Sequence, residues 1–159
     1  MFAGVMLAAV AAALIAAIGD GWRPFRPAPT GPVVVVYRDP QCRCCMRWIE
    51  SLRDQDFEVE EHVTPDLAPV RQRAGVPESL KSCHTVLVDS YVIEGHVPAE
   101  DIRRLLREKP AVLGLAVPGM PGASPGMESY SEDRSPYEVI LFGAEGARGV
   151  FARHPPEGP

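Results

Sequence analysis

Positive charge is what this chain most lacks: it has no lysine or arginine before Arg23, no basic block afterwards, and a formal net charge of −5 over 159 residues. Binding to nucleic acid through its phosphates calls for a basic patch or stripe, so that partner is set aside. No segment recurs at a fixed period, which removes solenoids and propellers. Residues Met1 to Ile18 lack any charged side chain. A helix buried in a soluble core normally keeps a polar face, so residues 1–20 read as a signal peptide or membrane anchor. The segment also lacks a basic n-region, and its Ala-Ala-Ile-Gly-Asp end is only loosely a small-residue cleavage site, which leaves cleavage and retention both open. Export to the periplasm or cell envelope is the expectation, with any membrane contact confined to this segment.

With 46% hydrophobic and 23% charged residues, the rest of the chain has the composition of one globular domain. Residues 21–32 hold Pro24, Pro27, Pro29 and Pro32 and read as an extended linker, placing the domain at residues 33–154. Val33 to Tyr37 is continuously apolar and β-branched, the pattern of a central strand covered on both faces. Trp48, Ile49 and Leu52 then share a helical face with Cys45, so a helix starts at or within the run Cys42, Arg43, Cys44, Cys45. Phe57 to Val63 alternates as a half-exposed strand does. Thr64, Pro65 and Asp66 predict a helix start and Gly75 its end. Thr85 to Val88 and Tyr91 to Glu94 predict a hairpin about Asp89 and Ser90. Pro98 to Lys109 predicts a helix lined by Ile102, Leu105 and Leu106, and Tyr137 to Phe142 with Val150 to Ala152 a last hairpin. The stretch from Gly114 to Met127 reads as a Gly and Pro loop. The fold class is therefore α/β, a central mixed sheet flanked by helices, with an N-terminal apolar leader and a C-terminal hairpin extension.

What the chain does have is sulfur in two clusters: Cys42, Cys44 and Cys45 after the first strand, and Cys83 beside His84 before a later one. Cys42 and Cys45 form a C-x-x-C at a strand-to-helix turn, where unpaired backbone N–H groups and the helix dipole favour thiolate. Thiolate is both the redox nucleophile and the metal ligand, so that feature alone does not separate the two chemistries. Adjacent residues such as Cys44 and Cys45 diverge, which suits ligands shared among several metal atoms better than one tetrahedral ion. Soft sulfur favours monovalent copper, and Met46, Met120 or Met127 would add thioether to that preference. Zinc usually takes two C-x-x-C knuckles. Two disulfides in an exported protein are a further reading, as is thiol-disulfide exchange with Cys42 attacking and Cys45 resolving. His84 and His96 are candidate ligands or hydrogen-bond donors to a metal shell. Met46 and Trp48 read as core, and His62 and His154 as surface residues.

The element order resembles the thioredoxin fold, whose redox C-x-x-C sits at this junction. That resemblance implies that Cys83 and His84 face the dithiol, with His84 where thioredoxins place a cis-proline. The chain also resembles the CopG-type copper-resistance proteins, predicted metal-binding proteins with a thioredoxin-like fold. The residues that carry this are Asp39 to Cys42 with Cys44 and Cys45, then Trp48, Gly75 to Pro77, Ser82 to Thr85, Glu94 to Pro98 and Gly114 to Met127. The resemblance implies copper bound at Cys42, Cys44, Cys45 and Cys83, with copper tolerance as the role and other envelope copper-handling proteins as partners. It also leads one to expect glycine where this chain has Arg43.

Overall fold

The structure is a computed structural model that describes residues 30–154; the predicted leader and most of the linker lie outside the described residues. Among the described residues, three helices and a seven-stranded mixed sheet carry the fold. Strand β1 (Val33–Arg38) leads into helix α1 (Arg43–Arg53), then β2 (Glu58–Val63) and α2 (Ala68–Ala74). A 3-10 turn at Glu78–Leu80 precedes the hairpin of β3 (His84–Val88) and β4 (Tyr91–Glu94), followed by α3 (Ala99–Glu108). Strand β5 (Gly114–Ala116) and the hairpin of β6 (Tyr137–Gly143) and β7 (Gly146–His154) complete the sheet, whose spatial order is β2-β1-β3-β4-β5-β6-β7. β1 runs parallel to β2, β4 parallel to β5, and the other pairs are antiparallel.

Alternation along the strands divides the core. Val34, Val36, Val86, Val88, Ile93, Leu115 and Val139 face Trp48, Ile49, Leu52, Ile102 and Leu105 of α1 and α3. Each such buried aliphatic or aromatic side chain contributes about 1.5–3 kcal/mol. Val92, Ala116 and Phe142 point to the opposite face, where Ala74, Val76 and Leu80 cover them. β1 is sealed on one face only: Val34 and Val36 are buried, whereas Val35 and Tyr37 on the other face are half-buried and Val33 is exposed.

Three local expectations are corrected. Helix α2 starts at Ala68, not at Thr64, because Thr64 Oγ1 accepts the Asp66 N–H (3.3 Å) and Asp66 Oδ1 the Ala68 N–H (2.9 Å), local bonds that compete with a helical turn. Gly75 ends it in the left-handed region (φ 70°), as predicted. Gly114 opens a strand that reads as loop in the sequence; a Cβ there would lie 1.7 Å from the Val92 carbonyl oxygen, so only glycine lets β5 approach β4. Met46 is 42% exposed rather than core, since the buried stripe of α1 runs through Cys45, Trp48, Ile49 and Leu52. Among the described residues no helix is long and apolar enough to cross a membrane.

Candidate metal centre

Cys42 is the N-cap of α1, and its Sγ accepts the Cys45 N–H at 3.3 Å. This places the cysteines on the first helical turn with no acidic side chain in it to oppose negative sulfur. Cys42 and Cys45 are joined as a disulfide, while Cys44 and Cys83 are free thiols. Cys44 Sγ lies 3.5 Å from Cys42 Sγ and 4.0 Å from Met120 Sδ. Cys45 Sγ lies 3.7 Å from the Cys83 carbonyl oxygen. All four cysteine sulfurs fall within 4.8 Å of one another. Metal–sulfur bonds of about 2.3 Å put two sulfurs on one ion at most about 4.6 Å apart, so sulfurs gathered this closely could hold metal.

The histidines complete a second, overlapping group in which Cys83, His84 and His96 offer atoms within 4.8 Å of one another. His96 Nδ1 is 2.7 Å from the Pro125 carbonyl oxygen. A carbonyl only accepts, so Nδ1 carries a proton, and the ring turns its Nε2 toward Cys83 Sγ, 2.9 Å away. His84 Nδ1 is 3.2 Å from the same sulfur. His84 Nε2 is buried with no hydrogen-bond partner among the described residues. Its ring packs 4.4 Å from Trp48, whose Nε1–H donates to the Val97 carbonyl oxygen at 2.9 Å. The sequence reading of Trp48 as packing therefore stands. Met120, 53% exposed, reaches the sulfurs, and Met127 is buried in the same loop.

That loop is pressed against the helix by Gly126 (φ 83°), where a Cβ would meet the Trp48 nitrogen at 2.7 Å and the Cys44 carbonyl oxygen at 3.0 Å. Two solved structures, both described as the copper resistance protein CopG, in forms 1 and 2, superpose on this fold with TM-scores of 0.71 and 0.72. Each is 44% identical to this chain over 79% of its length, and 98% and 99% of their own chains are covered. The chain belongs to the CopG copper-resistance protein family. Residues 80–127 also match the family described as protein of unknown function DUF411. No curated protein sequence matches.

Behind the sulfurs of this CopG-family chain lies a polar clamp that the sequence reading left without a role. Glu94 is fully buried. Its Oε1 accepts from Arg71 Nε (2.9 Å) and the Ser82 N–H (2.8 Å), and its Oε2 from Thr85 Oγ1 (2.6 Å). Arg71 Nη2 donates to the Ser82 carbonyl, and the Ser82 hydroxyl to the Gly119 carbonyl. Both backbone groups of the residue before Cys83 are thus held, and the residue before Met120 is tied to the same point. The available signal was a carboxylate closing the otherwise apolar strand Tyr91–Glu94. Of the two remaining histidines, His62 is exposed beside Glu60, and His154 is only part-exposed because β7 brings its Nε2 to 2.6 Å from Asp101 Oδ2.

Charge at the site follows from these contacts. Hydrogen bonds from Cys83 and His96 hold the Cys44 thiol down at about 4, so it is a thiolate at neutral pH. The Cys83 thiol is pushed far upward by its hydrogen bond to that thiolate and by burial, so the pair shares one proton. Burial, together with the charge of His96, pushes His84 well below the usual imidazole range and keeps it neutral.

Proposed function

We propose that this protein binds copper in the cell envelope through Cys42, Cys44, Cys45 and Cys83, as a cluster of Cu(I) ions bridged by thiolates, and so contributes to copper tolerance. Four cysteine sulfurs within 4.8 Å of one another carry this reading. His96 is oriented for ligation through Nε2, and His84 presents its Nδ1 to the same Cys83 sulfur, 3.2 Å away. The soft donor set, with Met120 at its edge, favours Cu(I) over zinc. We read the β1-α1-β2 unit, its C-x-x-C junction and the β3-β4 hairpin beside it as a thioredoxin-like core, with β5 to β7 as the C-terminal extension. The apolar leader supports a periplasmic or envelope location.

Loading the full set requires breaking the Cys42–Cys45 disulfide, which takes up two electrons and two protons. In the reverse sense, the dithiol reduces two Cu(II) ions to Cu(I), forms the S–S bond and releases two protons, a balanced route to copper redox activity. The test is elemental analysis of the full chain reduced and reconstituted anaerobically with Cu(I) or Zn(II). More than one copper per chain, lost in Cys44→Ser, supports the cluster; one zinc per chain and no retained copper would overturn it. The disulfide also favours a second reading, thiol-disulfide exchange at Cys42. Reduction of insulin disulfides, abolished in Cys42→Ser but unchanged in Cys44→Ser, would select that activity.

A further inference from the structure

The outward face of α1 beside the sulfurs is occupied by Arg43, Met46 and Arg47, which share one side of the helix at i, i+3 and i+4 and are all exposed. Exposed Met120 reaches the same helical turn at Cys44, its Sδ 4.0 Å from Cys44 Sγ. Neither arginine forms an ion pair or side-chain hydrogen bond among the described residues. The carboxylates near this face in the chain are Asp39, whose Oδ1 accepts the Gln41 N–H, Glu128, whose Oε1 accepts the Gly126 N–H, and Glu50, one turn further along α1. In a chain of net charge −5, two unpaired guanidinium groups and two exposed thioethers thus border the cysteines.

These groups impose opposite demands on incoming metal. The thioethers attract a soft ion, whereas the arginines repel a bare cation. Both are met when copper arrives held by a carrier whose own charge is negative. We propose that this face docks an acidic segment of a copper-carrying protein, Arg43 and Arg47 meeting its carboxylates while Met120 and Met46 are the first sulfurs to touch the metal. Sharing one ion between Met120 and Cys44 needs only the spacing already present. This inference rests on the copper reading above.

The test follows Cu(I) transfer to the full, reduced chain by stopped flow from three donors: a synthetic Met-bearing peptide flanked by glutamates, the same peptide flanked by lysines, and the acetonitrile complex. Transfer from the glutamate peptide should outpace that from the lysine peptide by about tenfold at low salt, and the gap should close as salt screens it. In the Arg43→Ser/Arg47→Ser variant the preference should vanish, while loading from the acetonitrile complex stays within twofold. Equal rates from the two peptides, or a preference that survives in the variant, overturn the proposal. Failure of the native chain to load from any donor overturns the copper reading beneath it. The single variant Arg47→Ser, at an exposed position whose side chain has no ion pair or side-chain hydrogen bond among the described residues, guards against misfolding and should retain an intermediate preference.

Discussion

Replacing Glu94 with leucine tests whether the buried clamp holds the site together. The native carboxylate accepts three hydrogen bonds at 2.6 to 2.9 Å and is wholly buried, so nothing in solvent can substitute for it. Leucine leaves the Arg71 guanidinium, whose side chain is 14% exposed, without its counter-ion, and the Ser82 N–H and Thr85 hydroxyl without an acceptor. Removing one partner of a buried pair costs about 3–5 kcal/mol. Because Arg71 keeps some contact with water, the lower end, about 3 kcal/mol, is expected for Glu94→Leu. With urea slopes of about 1–3 kcal/mol per molar, the unfolding midpoint of the apo chain should fall by about 1–3 M. Adding Arg71→Leu removes the stranded charge, so the double variant should lose less than Glu94→Leu alone, the remaining loss coming from the unpaired Ser82 groups and the Thr85 hydroxyl. Urea titrations by circular dichroism measure both. A loss under about 1 kcal/mol for Glu94→Leu, or a double variant worse than the single, would refute the argument that burial makes this pair costly to break.

Gly126→Ala puts a Cβ against backbone in a left-handed residue, and about 2–4 kcal/mol should be lost in a thermal melt, with copper retention falling as the Pro125 carbonyl shifts from His96. Trp48→Phe leaves the Val97 carbonyl unpaired and should cost about 1–3 kcal/mol in the same assay; an unchanged melt would mean water replaces the indole. Cys44 is held at about 4 from an ordinary 9.0, so its thiolate persists across that window and its alkylation by iodoacetamide should be flat over it and decline only below. An alkylation rate that rises steadily with pH up to the ordinary thiol range would show that Cys83 and His96 do not stabilise the Cys44 anion.

Much of this architecture was legible because local and global signals agreed. The heptad-like stripe from Cys45 to Leu52, the β-branched run of β1 and the Asp89–Ser90 turn each specified an element that forms where expected. The cysteines and His84 and His96 were legible as one site because each stands at a strand or helix terminus on the same end of the sheet. Three features were not legible, for physical reasons. β5 exists because Gly114 permits close backbone approach, a tertiary effect absent from its own propensity. Met46 faces outward because it sits one step around the helix from the stripe through Cys45, Trp48, Ile49 and Leu52, and its apolar side chain alone does not report that. The Arg71–Glu94 clamp joins residues far apart in sequence, and no local pattern reports such a pair.

The imidazole of His96 is held at Nδ1 by the carbonyl of Pro125, a main-chain atom. A carbonyl is common to all residues, so position 125 can change identity without disturbing the ring, provided the chain keeps its path past Gly126. Selection acting on this site would then record the cysteines, the histidines and the neighbouring glycine, and leave unmarked the carbonyl that holds Nδ1 of His96.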